Sequence, residues 1–291
     1  MPIPKLPPVR EIVTRYGLDP RRSLGQHFIF DATVTERIAE AAGNLKDAIV
    51  YEVGPGPGGL TQALLETELH KLVAVENDSR CAAALEELGR SYSGRLQVVL
   101  ANAVDVDETR YMPLGSHIVA NLPYNIATLL LLKWLRSANR YASMTLMFQK
   151  EVAERLVAAP STKDYGRLSV MTQWACETRI LFDIPPEVFI PPPKVTSTLV
   201  SLVPRAEPLA PARRDRLEKV VASGFGQRRK MLRTALKTLG VDTGELLKMS
   251  DIDPEKRAEE LNVEQFCTLA RSFHSLSGGR DHTAAGAAMG G

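Results

Sequence analysis

The sequence predicts an α/β domain with a mostly parallel sheet, followed by a small all-helical domain. Two observations carry this. Apolar strand patterns alternate with helical ones from residue 31 to residue 158, and such alternation packs as parallel strands joined by crossover helices. Beyond Pro204, Pro208 and Pro211 the remaining patterns are helical.

The elements follow in order. Asp31 is placed to cap a helix over 31–42, with Val34, Ile38 and Ala41 on one face and Gly43 as its stop. Strands are expected at 48–53, 71–75, 96–100, 116–120 and 143–148, and helices at 59–68, 78–88, 128–136 and 151–158. Residues 179–184 and 197–203 read as later strands separated by a Pro-rich loop. Helices are expected at 213–224, 228–239 and 263–275. The domain boundaries that result are 1–204, with an N-terminal arm to about residue 22, then 205–277, then a low-complexity, disordered tail at 278–291. There is no internal repeat.

At 291 residues, 44% of them hydrophobic, the chain has room for one large domain and a smaller one. The leucine run 129–132 is far too short to span a membrane. The N-terminus, with Pro2, Pro4, Pro7 and Pro8, lacks a signal-peptide pattern. Cys81, Cys176 and Cys267 are widely separated and form no CxxC pair, so reduced, buried thiols and a cytoplasmic protein are expected. No apolar interface pattern stands out, which makes a monomer the expectation. The net charge is only +2, but residues 205–239 carry ten Lys or Arg against three acids, an excess of +7. Such a segment is either a solvated helix face or the footprint of a phosphate-backbone partner.

The run from Glu52 to Gly59, EVGPGPGG, follows the first strand and opens a helix. Gly54 and Gly56 let the backbone turn and approach a ligand, and the helix N-terminus offers free N–H groups. Glu76 ends the next strand, where its carboxylate is placed for ribose hydroxyls. Gly54, Gly56 and Gly59 also satisfy the dinucleotide fingerprint, so the motif alone fits an NAD-type pocket or S-adenosylmethionine. Glu52, before the first glycine, favours the latter, since it can hold an amino-acid moiety directly or through water. Asn102, after the third strand, is in reach of the cofactor's adenine or is simply a turn-forming Asn. The run Asn121-Leu122-Pro123-Tyr124 at the end of a buried strand also favours S-adenosylmethionine. It offers an amide acceptor and a stacking face to a flat amino-bearing ring such as adenine.

Taken together, these residues resemble the ribosomal RNA small-subunit adenine dimethyltransferases (the KsgA or RsmA type). The resemblance runs from about Arg21 to Leu269. It rests on LGQHFIFD at 24–31, the glycine loop at 52–59, NLPY at 121–124, FIPPPKVTS at 189–197 and FGQRRKMLR at 225–233. It implies a Rossmann-like S-adenosylmethionine methyltransferase domain with a small helical domain. It further implies four methyl transfers to N6 of two adjacent adenosines in a hairpin loop near the 3′ end of 16S rRNA. The partner is then the small ribosomal subunit (30S particle), with a role in its biogenesis. By position, the cofactor would be held by His27, Ile29, Gly54, Glu76, Asn102 and Asn121. His27 stands where many relatives carry Asn, an exchange expected to be tolerated. Asn102 stands where the family usually has Asp, which is expected to lower cofactor affinity somewhat.

The residues support a mechanism of placement. The N6 lone pair is delocalised into the ring, whereas a methyl sulfonium is already electrophilic, so no metal is required. The Asn121 oxygen and a backbone carbonyl at Leu122 or Pro123 would accept the N6 hydrogens. Tyr124 would stack on one face of the base, worth roughly 1–3 kcal/mol, and the resemblance assigns Phe189 to the other. The target base must be unstacked or looped out. No general base is needed, because the methylated ammonium loses its proton to water. Arg228, Arg229, Lys230 and Arg233 form the expected rRNA clamp, with Arg229 and Arg233 one turn apart on a helix, and Lys194 is either a phosphate contact or a solvated charge. Three competing readings are a large-subunit methyltransferase of the macrolide-resistance type, a non-enzymatic assembly factor and an NAD oxidoreductase.

Overall fold

The computed structural model describes residues 8–20, 26–92 and 94–278. Residues 1–7 and 21–22 of the expected arm, Leu24 and Gly25 of the N-terminal motif, and the tail from residue 279 lie outside the described residues.

The chain opens with helix α1 (Val9–Tyr16), the short strand β1 (Phe28–Ile29) and α2 (Ala32–Ala41). Asp31 caps α2 by accepting the Thr33 N–H, as its position predicts. Strand and helix then alternate: β2 (Ile49–Val53), α3 (Gly59–Leu65), β3 (Lys71–Glu76), α4 (Ser79–Arg90), β4 (Leu96–Leu100), β5 (Ser116–Asn121), α5 (Tyr124–Leu135), β6 (Tyr141–Gln149) and α6 (Lys150–Val157). Helix α7 (Arg167–Ala175) precedes β7 (Cys176–Ile184), β8 (Phe189–Ile190) and β9 (Ser197–Pro204). Four further helices follow: α8 (Arg214–Gly226), α9 (Leu232–Ala235), α10 (Thr243–Met249) and α11 (Val263–Leu276).

Among the described residues, seven strands form one sheet in the order β4-β3-β2-β5-β6-β9-β7. Strands β4, β3, β2, β5 and β6 are mutually parallel, and β9 runs antiparallel to both its neighbours. This is the α/β, Rossmann-like architecture that the alternation predicts. The central strands are apolar on both faces, as strands covered by helices on each side must be. Val50, Tyr51, Leu72, Val73 and Ala74 are fully buried. Chain order reverses between β2 and β5, so their carboxyl ends flank a crevice. Separately, β1 and β8 pair as a two-residue antiparallel ribbon, with Phe28 opposite Ile190 and Ile29 opposite Phe189.

The chain forms two compact units, 1–157 with 175–207 and 158–174 with 208–291. Residues 158–174, expected in the first domain, therefore group with the helical one. Long-range contacts explain this. Arg228 donates to the Thr162 and Lys163 carbonyls, Tyr165 packs edge-on against Phe225, and Trp174 Nε1 donates to the Ala210 carbonyl. The core of the helical unit is built from Leu217, Val221, Leu232, Phe266 and Phe273.

A single helix over 228–239 does not form. Helix α8 ends at Gly226, residues 227–230 turn, and α9 begins at Leu232. The Leu232 N–H donates to the Lys256 carbonyl, and Met231 bridges Arg257, which draws the backbone out of a helical path. Arg229 and Arg233 therefore do not share one helix face. Cys81, Cys176 and Cys267 are buried and form no disulfide among the described residues. No helix among the described residues is long and apolar enough to cross a membrane.

Candidate active site

A cavity of about 220 Å³ lies at the carboxyl ends of β2, β3, β4 and β5. Gly54 and Gly56 from the glycine loop, Glu76, Asn102, Asn121, Leu122, Pro123, Tyr124 and His27 all line it. A smaller adjoining cavity is lined by Ile29, Glu52, Gly54, His27 and Asn121. The sheet thus brings together in space every expected cofactor residue, although they span residues 27 to 121.

Gly56 is where glycine is required. Its φ is +57°, and a Cβ there would sit 2.9 Å from the Phe28 ring. That ring packs on Ile12, Leu18, Cys81 and Ala84, so it cannot simply move aside. The Gly56 N–H donates to Glu76 Oε2 at 3.0 Å, and the Asn77 and Asp78 N–H groups donate to Oε1 at 2.7 and 2.8 Å. These bonds partly offset the burial that raises the Glu76 pKa above the ordinary carboxylate value. They also leave Oε2, which takes one donor, the better acceptor for a further hydroxyl.

Glu52 is 1% exposed and accepts the Thr61 hydroxyl at 2.8 Å. Burial pushes its pKa up to about 8, against the opposing pull of the Thr61 bond and with help from Glu76. Thr61 lies in the first turn of the helix that the glycine loop opens, a signal the sequence did carry.

Asn121 ends β5, and its Nδ2 donates to the His27 carbonyl at 3.3 Å. The amide oxygen Oδ1 is thereby left as the acceptor of the pair. His27 Nδ1 lies 2.7 Å from the Pro191 carbonyl, so Nδ1 carries the proton. The His27 and Tyr124 rings are 5.5 Å apart and tilted by 31°. The Tyr124 hydroxyl pairs with Ser197 Oγ at 2.5 Å, which pins the ring's far end, and burial raises the Tyr124 pKa. Sequence reasoning assigned Ser197 no role; only the antiparallel placement of β9 brings it to Tyr124. Pro123 occupies the N-cap of α5, so the helix starts at Tyr124 rather than at residue 128. The Pro123 carbonyl already accepts the Ile126 N–H at 3.1 Å.

Phe189 does not reach the cavity. It is 1% exposed and belongs to the hydrophobic core with Ile29, Ile38 and Leu199. Strand alternation is the reason: opposite Ile29 in the β1–β8 ribbon, Phe189 faces inward and Ile190 faces solvent. Asn102 forms a local turn, its Oδ1 accepting the Val104 N–H at 3.2 Å and its Nδ2 donating to Asp105 at 2.9 Å.

Of the expected RNA contacts, Lys194, Arg229, Lys230 and Arg233 are exposed. Arg228 is engaged with Glu259 at 2.7 Å, and Arg233 with Glu255 at 3.4 Å. Much of the remaining basic excess is also internally matched: Arg213 pairs with Asp215, Arg214 with Glu218, and buried Arg216 lies over the Phe273 ring.

Two outcomes are expected from these placements. Truncating Phe189→Ala should lower unfolding free energy in urea by about 3–5 kcal/mol, as for a buried core aromatic. For Glu52, a folded-state pKa raised from 4.5 to about 8 means the folded state holds the proton more tightly. Its contribution to stability is complete below the unfolded value and is lost as pH rises through about 8. Glu52→Gln keeps an acceptor for Thr61, so in thermal scans it should melt progressively above the parent protein as pH rises across that window.

Similarity to known proteins matches this geometry. Residues 17–275 match the family described as Ribosomal RNA adenine dimethylase. The Ribosomal RNA small subunit methyltransferase A of Paramagnetospirillum magneticum is 55% identical over 92% of this chain and 95% of that protein. Its counterpart in Rhodospirillum rubrum is 53% identical over 92% of each chain. Among solved structures, a dimethyladenosine transferase from Plasmodium falciparum superposes with a TM-score of 0.76 at 26% identity, covering 86% of this chain and 98% of that one. The 23S rRNA methyltransferase ErmE gives a TM-score of 0.65 at 27% identity, covering 84% and 99%. With a cavity at the strand switch point, an oriented Asn121 amide and a family match over nearly its whole length, the chain belongs to the ribosomal RNA adenine dimethylase family.

Proposed function

We propose that the chain transfers methyl groups from S-adenosylmethionine to N6 of two adjacent adenosines in a hairpin loop near the 3′ end of 16S small-subunit rRNA. The products are N6,N6-dimethyladenosines. The observation that carries this reading is the orientation of Asn121. Its amide N–H is spent on the His27 carbonyl, so Oδ1 is held as an acceptor at the cavity before any base arrives.

The donor set fits the cofactor. Glu76 keeps an acceptor position for a ribose hydroxyl, the glycine loop gives close backbone approach, and Glu52 lines the adjoining cavity where an amino-acid moiety would lie. His27, Ile29, Gly54, Gly56, Asn102 and Asn121 complete the binding set. S-adenosylmethionine, when bound, supplies an electrophilic methyl sulfonium.

The protein's own residues do the rest. Asn121 Oδ1 accepts one N6 hydrogen. The Leu122 carbonyl is the better second acceptor, because that of Pro123 is committed to the Ile126 N–H. Two acceptors in place turn the N6 lone pair out of conjugation and toward the methyl group. Tyr124, held by Ser197, presents its ring to the base. The proton is lost to water after transfer. Arg229, Lys230, Arg233 and Lys194 supply exposed charge for rRNA phosphates, while Arg228 acts chiefly within the helical unit.

The test is methyl transfer from labelled S-adenosylmethionine to undermethylated small subunits, with large subunits in parallel and the label mapped to nucleosides. Dimethyladenosine in the small subunit alone is expected. Label in the large subunit would reassign the substrate, and no label in either would refute the activity. Asn121→Ala should lower transfer by at least about 10²-fold while cofactor affinity falls far less; equal loss of both would remove the assigned role. Reversing Arg229→Glu and Lys230→Glu should weaken binding to small subunits and reduce the salt slope by about 1–2. Unchanged affinity would exclude these two residues from the RNA contact.

A further inference from the structure

Lys133 lies in the last turn of α5, the helix whose first residue is Tyr124. Its side chain is 28% exposed, and its ammonium meets four oxygens. Three are backbone carbonyls of one loop: Ala103 at 3.3 Å, Val104 at 3.1 Å and Val106 at 2.5 Å. The fourth is Oε1 of the buried Glu108 at 2.9 Å, which also takes the Trp134 indole N–H at 2.8 Å. An ammonium has three protons, so every one is occupied.

The consequence reaches the cavity through a single peptide plane. In a trans peptide the carbonyl and the next N–H point in opposite directions. The Ala103 carbonyl points at Lys133, so the Val104 N–H points the other way, and there it donates to Asn102 Oδ1. Asn102 Nδ2 in turn donates to Asp105, whose own N–H closes the turn onto the Asn102 carbonyl at 2.9 Å. Asn102 and Ala103 both line the cavity.

We propose that Lys133 is a positioning residue for the cofactor end of the active site, holding the loop from Asn102 to Val106 so that Asn102 and the Ala103 backbone face the cavity. This rests on the reading of that cavity as the S-adenosylmethionine site. With Asn102 rather than a carboxylate at this position, orientation of the amide matters more, because its two ends are not equivalent and a flipped amide would present a donor where an acceptor stood.

The full chain is compared with Lys133→Met, Lys133→Arg and Lys133→Met/Glu108→Gln by calorimetric titration with S-adenosylhomocysteine, steady-state kinetics and thermal melting. Lys133→Met should raise the Kd for S-adenosylhomocysteine and the KM for S-adenosylmethionine about tenfold, with kcat within about twofold and the KM for small subunits unchanged. Lys133→Arg, which can still donate to the carbonyls, should recover part of the affinity. The double variant leaves no unpaired buried carboxylate, so it should melt closer to the parent protein yet bind cofactor as weakly as Lys133→Met. Recovery of cofactor affinity in the double variant, or an unchanged KM in Lys133→Met, would show that Lys133 only neutralises Glu108 and would overturn the proposal. Glu76→Gln separates the two levels. If it weakens S-adenosylhomocysteine binding and Lys133→Met does not, only the role of Lys133 fails. If neither variant moves it, the reading of the cavity fails and the proposal with it.

Discussion

The parallel register of β2 between β3 and β5 is the constraint on which the site depends. It aligns Val53 with Val75 and Val50 with His117, so the carboxyl ends of the three strands finish at one level. Glu52, Glu76 and Asn121 then emerge around a common crevice. Each of these polar groups sits at or near the carboxyl end of a strand whose central residues are buried and apolar. Burying them is costly unless each is hydrogen-bonded. Glu76 meets that requirement with three backbone N–H groups, Glu52 with Thr61, and Asn121 with the His27 carbonyl.

Those bonds do more than satisfy burial. Each commits one part of a functional group and so orients the remainder. Asn121 commits one N–H of its amide and keeps its oxygen as an acceptor. Tyr124 spends its hydroxyl on Ser197 and keeps its ring. His27 spends Nδ1 on Pro191 and its carbonyl on Asn121. A site assembled this way needs little reorganisation when a base enters, which is how positioning contributes to rate. The β1–β8 ribbon supports it: the ribbon's Phe189 is core, while its flanking residues His27 and Pro191 meet at the site.

The helical unit shows how far a charge count can mislead about available charge. Ten basic residues stand between 205 and 239. Some of them hold the unit together through an acid or an aromatic ring placed far off in sequence, Glu259 for Arg228 and Phe273 for Arg216. Arg229 and Lys230, in the turn after α8, meet solvent, as do Arg213, Lys219, Arg233 and Lys237.

The sequence by itself determined the order and type of the central elements, since runs such as IVYEV and KLVAVE are apolar enough to be covered on both faces. It also determined the glycine loop and the NLPY corner, because glycines, a proline and an amide at strand ends have local reasons to be there. Short elements escaped it. Two-residue strands such as Phe28–Ile29 carry no periodicity, and α7 and α10 are defined by what they pack against. The expected helix over 228–239 failed because backbone pairing with residues 256 and 257 outweighs local propensity. Only the tertiary structure decided which way Phe189 faces, which oxygen of the Asn121 corner is left to accept, and that Ser197 and Lys133 serve groups many residues away. Such assignments depend on hydrogen bonds between distant strands and loops, and no local pattern encodes a partner that the fold alone brings near.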